Sequence, residues 1–312
     1  MTDGHITSVR LPVWVDAPTE QRNPRTVELD TWGTFELLQA INAEDHLVAP
    51  AVHQALPDLA RAVDLAVETM RRGGNVHYFG AGTSGRLATM DAAELGPTFG
   101  LEPGRVVAHH AGGEGALGAA LEDVEDDRVS AAEEARVVTA ADCAVGLTAS
   151  GRTPYVAGAL AQARAVGATT ILVSSNPQAE IAPMADVHVC VETGPEALAG
   201  STRMKAGTAQ KLVLNAFSTA VMVKLGRTYS NLMTNVVAKN SKLVGRMVTV
   251  LTEASGRDRE ACATALEEAD GDLRVALVGV LADVPAKRAR AALDEAGGVV
   301  RRALALLEGE TP

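Results

Sequence analysis

The sequence predicts an α/β fold in which a five-stranded parallel, doubly wound sheet is flanked by a helical N-terminal segment and a helical C-terminal region. Five short apolar runs alternate with helical stretches in the middle of the chain, which is the pattern of βα units. A glycine-rich loop directly follows the first run, and the residues on both sides of this middle part carry helical periodicity. The predicted strands cover residues 75–79, 105–109, 143–148, 169–174 and 186–191.

The N-terminal part begins with an irregular, proline-containing segment over residues 1–30, which we expect to pack as a tail on another surface, such as a second subunit. A helical pattern starts at Thr34, and a second helix is predicted over 49–72, where Gly73 is typical of a C-cap. The chain is therefore divided into an N-terminal tail with helices, a central α/β domain and a helical C-terminal region, over residues 1–65, 66–229 and 230–312.

The helices that connect the strands are predicted at 87–95, 117–136 and 154–166, with a break near Asp123 in the second of them. The link between the fourth and fifth strands is short, so its helix is the least clearly indicated. A helix without proline is predicted over 201–226, and four more follow, with no strong internal repeat. Their boundaries are indicated by Gly256, Gly271, Pro285 and Gly297.

The composition excludes several classes of partner. The chain carries 28 Lys and Arg against 39 Asp and Glu, a net charge of −11, which disfavours nucleic acid and anionic membrane surfaces. The chain contains no run of about 18 apolar residues, the length that a membrane span needs. The first ten residues lack the apolar core of a signal peptide. Three cysteines, far apart in the chain, form no CxxC pair. We expect a cytoplasmic protein with reduced thiols.

The loop after the first strand reads Gly-Ala-Gly-Thr-Ser-Gly-Arg over residues 80–86 and leads into a helix. This matches the dinucleotide fingerprint GxGxxG, but no acidic residue ends the second strand to hold a ribose hydroxyl. Backbone N–H groups at a helix start, together with the adjacent hydroxyls of Thr83 and Ser84, suit a compact phosphate monoester. NAD binding and a purely structural turn are the alternatives.

Two further loops carry hydroxyl groups at strand ends. The third strand leads into Thr-Ala-Ser-Gly-Arg-Thr-Pro over 148–154, which places Ser150, Arg152 and Thr153 before a helix, and the fourth ends in Ser-Ser-Asn-Pro over 174–177. Ligands of open parallel sheets bind beyond the carboxyl ends of the strands. Each loop alone is typical of an ordinary helix cap, whereas three that meet at one crevice favour a phosphorylated, hydroxyl-rich ligand such as a sugar phosphate.

These motifs, together with Asp-Ala-Ala-Glu over 91–94 and Gly-Ser-Thr-Arg-Met-Lys-Ala-Gly-Thr-Ala-Gln-Lys over 200–211, resemble the N-acetylmuramic acid 6-phosphate etherases. The resemblance covers most of the chain and is loose beyond about residue 253. It implies a sugar-isomerase (SIS) domain, related to that of the glucokinase regulatory protein, and a cofactor-free lyase. Members of this family split the D-lactyl ether at C3 of N-acetylmuramic acid 6-phosphate into N-acetylglucosamine 6-phosphate and D-lactate.

The resemblance also implies the catalytic residues, since it places the family's two glutamates on Glu94 and Glu125. The family commonly has Ser and Cys around the first glutamate, where this chain has Ala93 and Leu95. Because these neighbours are apolar, we expect Glu94 to be a desolvated acid with a raised pKa that protonates the departing lactate oxygen. Glu125 lies in an acidic cluster that is otherwise typical of a solvated helix end, and we assign it as the base that removes the C2 proton.

The block at 200–211 supplies the remaining predicted phosphate-binding residues, Ser201 and Lys205, with Arg203 nearby; a surface turn is the alternative. His109 and His110 are weaker candidates for the crevice, and the histidine spacing predicts no zinc site. The resemblance further implies a homodimer. Two other functions stay open: a non-catalytic regulator that senses sugar phosphates, and an aldose–ketose phosphate isomerase.

Overall fold

The central sheet has five parallel strands in the order β2-β1-β3-β4-β5, which confirms the predicted fold class. The computed structural model describes residues 17–119, 121, 123–235 and 241–309. The strands are β1 (Val76–Gly80), β2 (Val106–His110), β3 (Cys143–Leu147), β4 (Thr169–Ser174) and β5 (Val187–Cys190). Each observed strand lies within one residue of its predicted bounds. Every residue of the two adjacent strands β1 and β3 is buried, which explains why they read as continuous apolar runs.

Helices cover both faces of the sheet, and four of them lie before the second strand. The helices of the first 225 residues are α1 (Thr34–Asp45), α2 (Val48–Gln54), α3 (Leu56–Arg71), α4 (Gly82–Phe99), α5 (Gly115–Gly118), α6 (Arg128–Glu134), α7 (Pro154–Ala165) and α8 (Lys205–Lys224). One core joins α2, α3, α4 and α8 to one face of the sheet, and a second joins α6 and α7 to the other face. Since α3 begins at Leu56, the predicted boundary between residues 65 and 66 falls inside a helix.

Two predicted helices are interrupted. The helix expected over 49–72 is divided at Ala55 because Pro57 begins a new helix in its first turn. The helix expected over 117–136 consists of the short α5, a 3-10 turn at Val124–Asp126 and α6. Asp123, where a break was expected, has a left-handed backbone with φ of 66°. The link between β4 and β5 holds only a 3-10 turn at Ala182–Met184.

The described part of the N-terminal segment packs on its own chain, which corrects the expectation that residues 1–30 lie on another surface. The Thr26 hydroxyl donates to the Ala197 carbonyl at 2.7 Å, and the amide of Gly200 donates to the Thr19 carbonyl at 3.2 Å. Both threonines are buried. The segment before α1 is therefore held against the loop that leads into α8, while residues 1–16 lie outside the described part.

The C-terminal region forms a helical unit with its own hydrophobic core. A short antiparallel hairpin of β6 (Thr228–Tyr229) and β7 (Leu232–Met233) precedes it. The described residues 241–309 hold five helices, where four were predicted for the region: α9 (Ser241–Ser255), α10 (Arg259–Glu268), α11 (Leu273–Ala282), α12 (Ala286–Glu295) and α13 (Val300–Glu308). Among the residues that the structure describes, no helix combines the length and apolar character needed to cross a membrane.

Candidate active site

The glycine loop after β1 forms the first turn of α4 at the carboxyl edge of the sheet. Helix α4 begins at Gly82, and its N-cap residue Ala81 contributes no side-chain hydrogen bond. The first amides of the helix therefore point outward without an intrahelical acceptor. The hydroxyls of Thr83 and Ser84 are half-buried, and neither has a hydrogen-bond partner in the described parts of the chain. This loop offers both amide and hydroxyl donors to an anion.

Gly85 is required by close packing beneath this loop. A Cβ atom there would lie 2.4 Å from His110 Cδ2 and 2.5 Å from the Gly80 carbonyl oxygen. The His110 ring is buried, with Nε2 3.2 Å from the carbonyl oxygen of Gly82 and Nδ1 2.8 Å from that of Ala111. His110 thus supports the loop from the end of β2. His109 lies apart, where its ring stacks on Phe79 and lies 3.1 Å from a nitrogen of His77, and burial lowers its pKa to about 4.

The loop after β3 brings three hydroxyls together. Thr148 Oγ1 lies 2.8 Å from Thr153 Oγ1 and 3.4 Å from Ser150 Oγ. The amide side chain of Asn176, at the end of β4, donates to the Ser150 carbonyl at 2.8 Å and ties the two loops to each other. The predicted residues Ser150 and Thr153 are therefore adjacent. The predicted Arg152 forms an ion pair with Glu180 at 3.0 Å.

The start of α8 packs against the glycine loop. A Cβ atom on Gly207 would lie 3.3 Å from the methyl group of Thr83, so the two segments are in direct contact. Ser201, half-buried, lies in the turn before α8, while the side chain of Arg203 is exposed.

Lys205 has a different partner from the one predicted. Its side chain is 1% exposed, and Nζ lies 2.6 Å from Glu44 Oε2. Glu44 also accepts two hydrogen bonds from Arg25, which together with Lys205 lowers the pKa of Glu44 to about 2 against the opposing effect of burial. The contact of Lys205 with phosphate stays a prediction. For this contact, the ammonium group must either bind phosphate and Glu44 at the same time or move away from Glu44.

Glu196 caps α8 from within the core. Its carboxylate accepts hydrogen bonds of 2.9 Å from the amides of Lys205 and Ala206, and its side chain is fully buried. Burial raises its pKa, although the two amides act in the opposite direction. The first amides of α8 are therefore already satisfied, unlike those of α4, which leaves the α4 loop as the better anion site.

A cavity of about 460 Å³ opens beside the glycine loop, and Glu125 lies on its rim. Gly82, Arg86 and His110 line one side of this cavity. Leu121 and the three residues 123–125 also line it. The Arg86 guanidinium donates to the carbonyl oxygens of Leu117 and Ala116 at 2.9 and 2.8 Å, which holds α5 against α4. The structure thus places Glu125 next to the predicted phosphate loop.

Glu94 is not among the residues that line this cavity, and its side chain is exposed in the single chain. The expectation of a desolvated Glu94 is therefore not met in this chain alone. The physical reason is that sequence neighbours lie 100° apart around a helix, so the apolar Ala93 and Leu95 do not surround Glu94. The structure does not bring Glu94 and Glu125 into contact.

The buried acid of α4 is Asp91, one turn before Glu94. Burial raises the pKa of Asp91 to about 6, although its carboxylate accepts hydrogen bonds from Tyr78 and Ser218 at 3.0 and 2.9 Å. This side chain faces the core between α4 and α8, away from solvent. Asp91 is thus a structural acid that joins β1, α4 and α8.

Sequence reasoning missed several residues that shape the site, above all Thr148, Asn176, Glu44 and Glu196. Glu196 and Lys205 are nine residues apart with no local pattern that pairs them, and Glu44 is 161 residues from Lys205. The position of Asn176 could have been predicted, because this residue lies in the Ser-Ser-Asn-Pro loop that the sequence places at the crevice. Within the described ranges, no three His, Cys, Asp or Glu side chains form a group that could hold a metal ion.

Two family models match the α/β part of the chain. The glucokinase regulatory protein N-terminal SIS domain matches residues 58–164, and the SIS domain matches residues 121–220. Among solved structures, the phosphoheptose isomerase of Neisseria gonorrhoeae is 20% identical at a TM-score of 0.49, and the likeness covers 61% of this chain and 98% of that one. This level of likeness is too low to indicate a ligand.

Curated relatives cover nearly the whole chain. The N-acetylmuramic acid 6-phosphate etherase of Thermobifida fusca (strain YX) is 64% identical over 86% of this chain and 88% of its own length. The etherase of the same name from Pectobacterium atrosepticum is 49% identical over 92% of this chain and 95% of its own length. Identity at this level, over this much of both chains, decides the family. The chain belongs to the N-acetylmuramic acid 6-phosphate etherase family.

Proposed function

We propose that this chain cleaves the D-lactyl ether of N-acetylmuramic acid 6-phosphate, as a lyase in the recycling of cell-wall amino sugars. The observation that carries the proposal is the cavity beside the α4 loop, where donors for a phosphate and the carboxylate of Glu125 are adjacent. The names of the relatives point to the same substrate. The products are N-acetylglucosamine 6-phosphate and D-lactate.

The phosphate group is bound at the α4 loop and the neighbouring β3 loop. The free amides at the start of α4 and the hydroxyls of Thr83 and Ser84 donate to it from one side, and Ser150 and Thr153 donate from the other. Arg152, Ser201 and Lys205 are further candidates for contacts with the phosphate. This arrangement holds the sugar with its C2 and C3 atoms above the cavity that Glu125 borders.

The two glutamates perform the proton transfers. The C2 hydrogen is acidic only beside the C1 aldehyde of the open-chain sugar, and Glu125 removes it. The electron pair forms the C2–C3 double bond while the C3–O bond breaks, and Glu94 protonates the departing lactate oxygen. Water then adds at C3, and a proton returns to C2. Since the elimination releases lactate and the hydration adds water, with no net oxidation or reduction, the reaction needs no redox cofactor, and we assign none and no metal.

We propose a homodimer in which the second copy covers Glu94. Met90 lies one turn before Glu94 on the same face of α4, and it is 47% exposed in the single chain. Helix α1 likewise exposes Phe35 and Leu38, which are 73% and 57% accessible. Phe35 and Leu38 are three residues apart and thus neighbours on the helix surface, and contiguous exposed apolar patches mark protein interaction sites. Burial of the α4 face by a partner places Glu94 in a closed site.

We also propose that the protein works in the cytoplasm on a small-molecule sugar phosphate, and not on nucleic acid or membranes. Its three cysteines are free thiols, two of them buried, as is common in a reducing compartment. The predicted boundary between residues 65 and 66 lies inside α3, so only the division between 66–229 and 230–312 remains a proposal. It can be tested by limited proteolysis, which should cut near residue 230 and leave the α/β part intact.

One assay separates this function from the two alternatives. The purified chain is incubated with N-acetylmuramic acid 6-phosphate, and D-lactate and N-acetylglucosamine 6-phosphate are measured. An etherase releases both in equal amounts. An aldose–ketose isomerase converts the sugar without releasing lactate, and a regulator binds it unchanged. The relatives named etherase favour the first outcome, and absence of lactate would reject the proposal.

A further inference from the structure

The C-terminal helices contain an internal repeat, so the prediction of no strong repeat is wrong for this region. The helix pair α10–α11 and the pair α12–α13 share a sequence pattern. Equivalent positions are 27 residues apart, so that Leu266 corresponds to Leu293. The identical pairs are Ala265 and Ala292, Leu266 and Leu293, Glu268 and Glu295, Ala269 and Ala296, Gly271 and Gly298, Arg274 and Arg301, Ala276 and Ala303, and Leu277 and Leu304.

The turns inside the two repeats have the same backbone geometry. Asp270 and Gly271 have φ of 55° and 77°, and Gly297 and Gly298 at the equivalent positions have 63° and 80°. The amide of Gly271 donates to the Leu266 carbonyl at 2.9 Å. The amide of Gly298 likewise donates to Leu293 at 2.7 Å. The two helix pairs are therefore copies of one structural unit.

Each turn faces the α/β part of the chain across a cavity, and the two cavities differ in charge. The first-turn cavity, about 460 Å³, holds both signs, since Arg227 pairs with Glu102 at 3.0 Å and Arg274 lies 3.8 Å from Asp272. The second-turn cleft, about 480 Å³, is lined by four cations and by no carboxylate. These cations are Arg71, Lys224, Arg301 and Arg302.

Three substitutions between the repeats account for this difference. Asp270 and Asp272 in the first turn correspond to Gly297 and Val299 in the second, which removes two negative charges. Val275 corresponds to Arg302, which adds a positive charge. All three changes make the second-turn cleft more positive, in a chain whose net charge is −11.

Among the described residues, no acidic side chain pairs with the four cations of the second-turn cleft. Arg71 donates to the Lys224 carbonyl at 3.0 Å, and Arg301 lies over the ring of Tyr229 at 4.9 Å. In the described part of the chain, the side chains of Lys224 and Arg302 have neither an ion pair nor a hydrogen bond. Thr228 and Ser230 add hydroxyls to the lining. Four like charges around one concavity create a local positive potential that attracts an anion.

This cleft is separate from the predicted phosphate loop, because the two lie at opposite ends of α8. The helix starts beside Thr83, where Gly207 packs, and ends at Lys224 in the cleft. Its 20 residues span roughly 30 Å at 1.5 Å per residue. One phosphate group cannot occupy both places.

We propose that the second-turn cleft is a further binding site, specific for a phosphate-bearing small molecule, that lies between the α/β part and the second C-terminal repeat. This inference goes beyond the lyase activity and does not depend on it. The concave shape and limited volume suit a small ligand, and the negative charge of the whole chain disfavours nucleic acid. The guanidinium groups and the ammonium group supply the charge-assisted hydrogen bonds that phosphate oxygens accept.

The test is calorimetric titration of the full chain with pyrophosphate at low ionic strength. The main variant combines Arg302→Val, which copies the equivalent residue of the first repeat, with Lys224→Gln. We expect its affinity at the second-turn cleft to fall about tenfold, since each lost contact is a solvent-exposed charge pair. The control combines Arg288→Val with Lys287→Gln, which removes the same charge from an exposed stretch of α12.

A second arm separates this cleft from the phosphate loop. Ser84→Ala combined with Ser150→Ala should leave the cleft's pyrophosphate binding in place, and adding Arg302→Val and Lys224→Gln should then weaken it about tenfold. The proposal is overturned if the Arg302 and Lys224 variant binds like the Lys287 and Arg288 control, or if the two serine changes alone abolish all binding. Because every altered cation is exposed, thermal unfolding should be unchanged, and Lys224→Gln alone provides a milder variant with the same expected direction.

Discussion

Lys205 and Glu44 form an ion pair that is withdrawn from solvent, with Nζ 2.6 Å from Oε2 and side chains that are 1% and 3% exposed. The pair connects α8, whose first turn contacts the glycine loop, to α1 near the N-terminal end of the described chain. Arg25 adds a second cation from the segment before α1. One carboxylate thus holds three parts of the chain beside the predicted phosphate site.

Replacing Glu44 should be strongly destabilising. Glu44→Gln leaves the Lys205 ammonium buried without a counter-charge, and breaking a buried pair in this way costs about 3–5 kcal/mol. Urea unfolding at neutral pH measures the loss. Glu36→Gln, an exposed carboxylate on the same helix, is the matched control. Adding Lys205→Met should recover part of the loss, because no charge is then left buried. A loss no larger than that of the control would contradict a structural role for this pair.

The stability of the protein should also depend on Asp91. Burial raises its pKa from 3.8 to about 6, so the folded chain binds this proton more tightly than the unfolded chain. Between these pH values the folded state holds more protons, and the free energy of unfolding therefore falls as pH rises, by about 3 kcal/mol in total. Asp91→Asn keeps hydrogen-bonding capacity for Tyr78 and Ser218 without a charge.

The measurement is the difference in unfolding free energy between Asp91→Asn and the unchanged chain from pH 4 to 7. Taking a difference cancels the contributions of other groups, including Glu44, whose lowered pKa has the opposite effect. The variant should gain stability relative to the unchanged chain as pH rises. Asp64→Asn makes the same change at an exposed position of α3 and is the matched control. A difference that is constant with pH would mean that Asp91 does not titrate in this range.

The sheet could be predicted from the sequence because its information is local. Strands buried on both faces are apolar runs, and the glycines between them mark the turns. The interrupted helices could be predicted only in part. The break near Asp123 was predicted, and the left-handed backbone of this residue confirms it. The helix over 49–72 was predicted as continuous, although Pro57 indicates a helix start.

The candidate site could be predicted where its residues follow strands, and not where they depend on tertiary packing. Ser84 and Ser150 come at the ends of neighbouring strands, so their shared edge follows from the parallel topology. The burial of Asp91 rather than Glu94 is set by which face of α4 meets α8. The pairing of Lys205 with Glu44 joins residues far apart in the chain, and no local pattern specifies it.

The phosphate site should depend on hydroxyls from both loops. Ser84→Ala combined with Ser150→Ala removes two donors to a doubly charged group, and hydrogen bonds to charged groups contribute about 1.5–3 kcal/mol each. We expect kcat/KM for the phosphorylated sugar to fall roughly a hundredfold or more, with most of the change in KM and with little loss of stability.

Two other hydroxyls provide the control for this experiment. Ser255→Ala with Thr264→Ala removes side chains that donate to carbonyls of their own helices in the C-terminal region. These changes should leave KM unaltered. If the Ser84 and Ser150 variant keeps the KM of the unchanged chain, the phosphate is bound elsewhere.

The last prediction concerns which proton transfer each of the two glutamates performs. If Glu94 only protonates the leaving oxygen, Glu94→Gln should stop lactate release and still allow the C2 proton to exchange with solvent. The amide keeps the shape of the site but cannot donate a proton as a carboxylic acid does. If Glu125 is the base, Glu125→Gln should stop both processes. A general acid or base contributes about 10²–10⁴-fold in rate, so each loss is readily measured.

Deuterium uptake at C2 of recovered substrate, measured in deuterated water, distinguishes the two roles. Asp126→Asn makes the same carboxylate-to-amide change next to Glu125, and it should preserve both exchange and lactate release. Uptake by the Glu125 variant and not by the Glu94 variant would reverse the assignment. Uptake by neither would mean that one glutamate serves both steps or that both are needed to hold the sugar. Because Glu94 is exposed in the single chain, a variant that disrupts the proposed homodimer, such as Phe35→Glu, should reproduce the Glu94→Gln result. It should lose lactate release and keep exchange, since Glu125 borders a cavity formed within one chain.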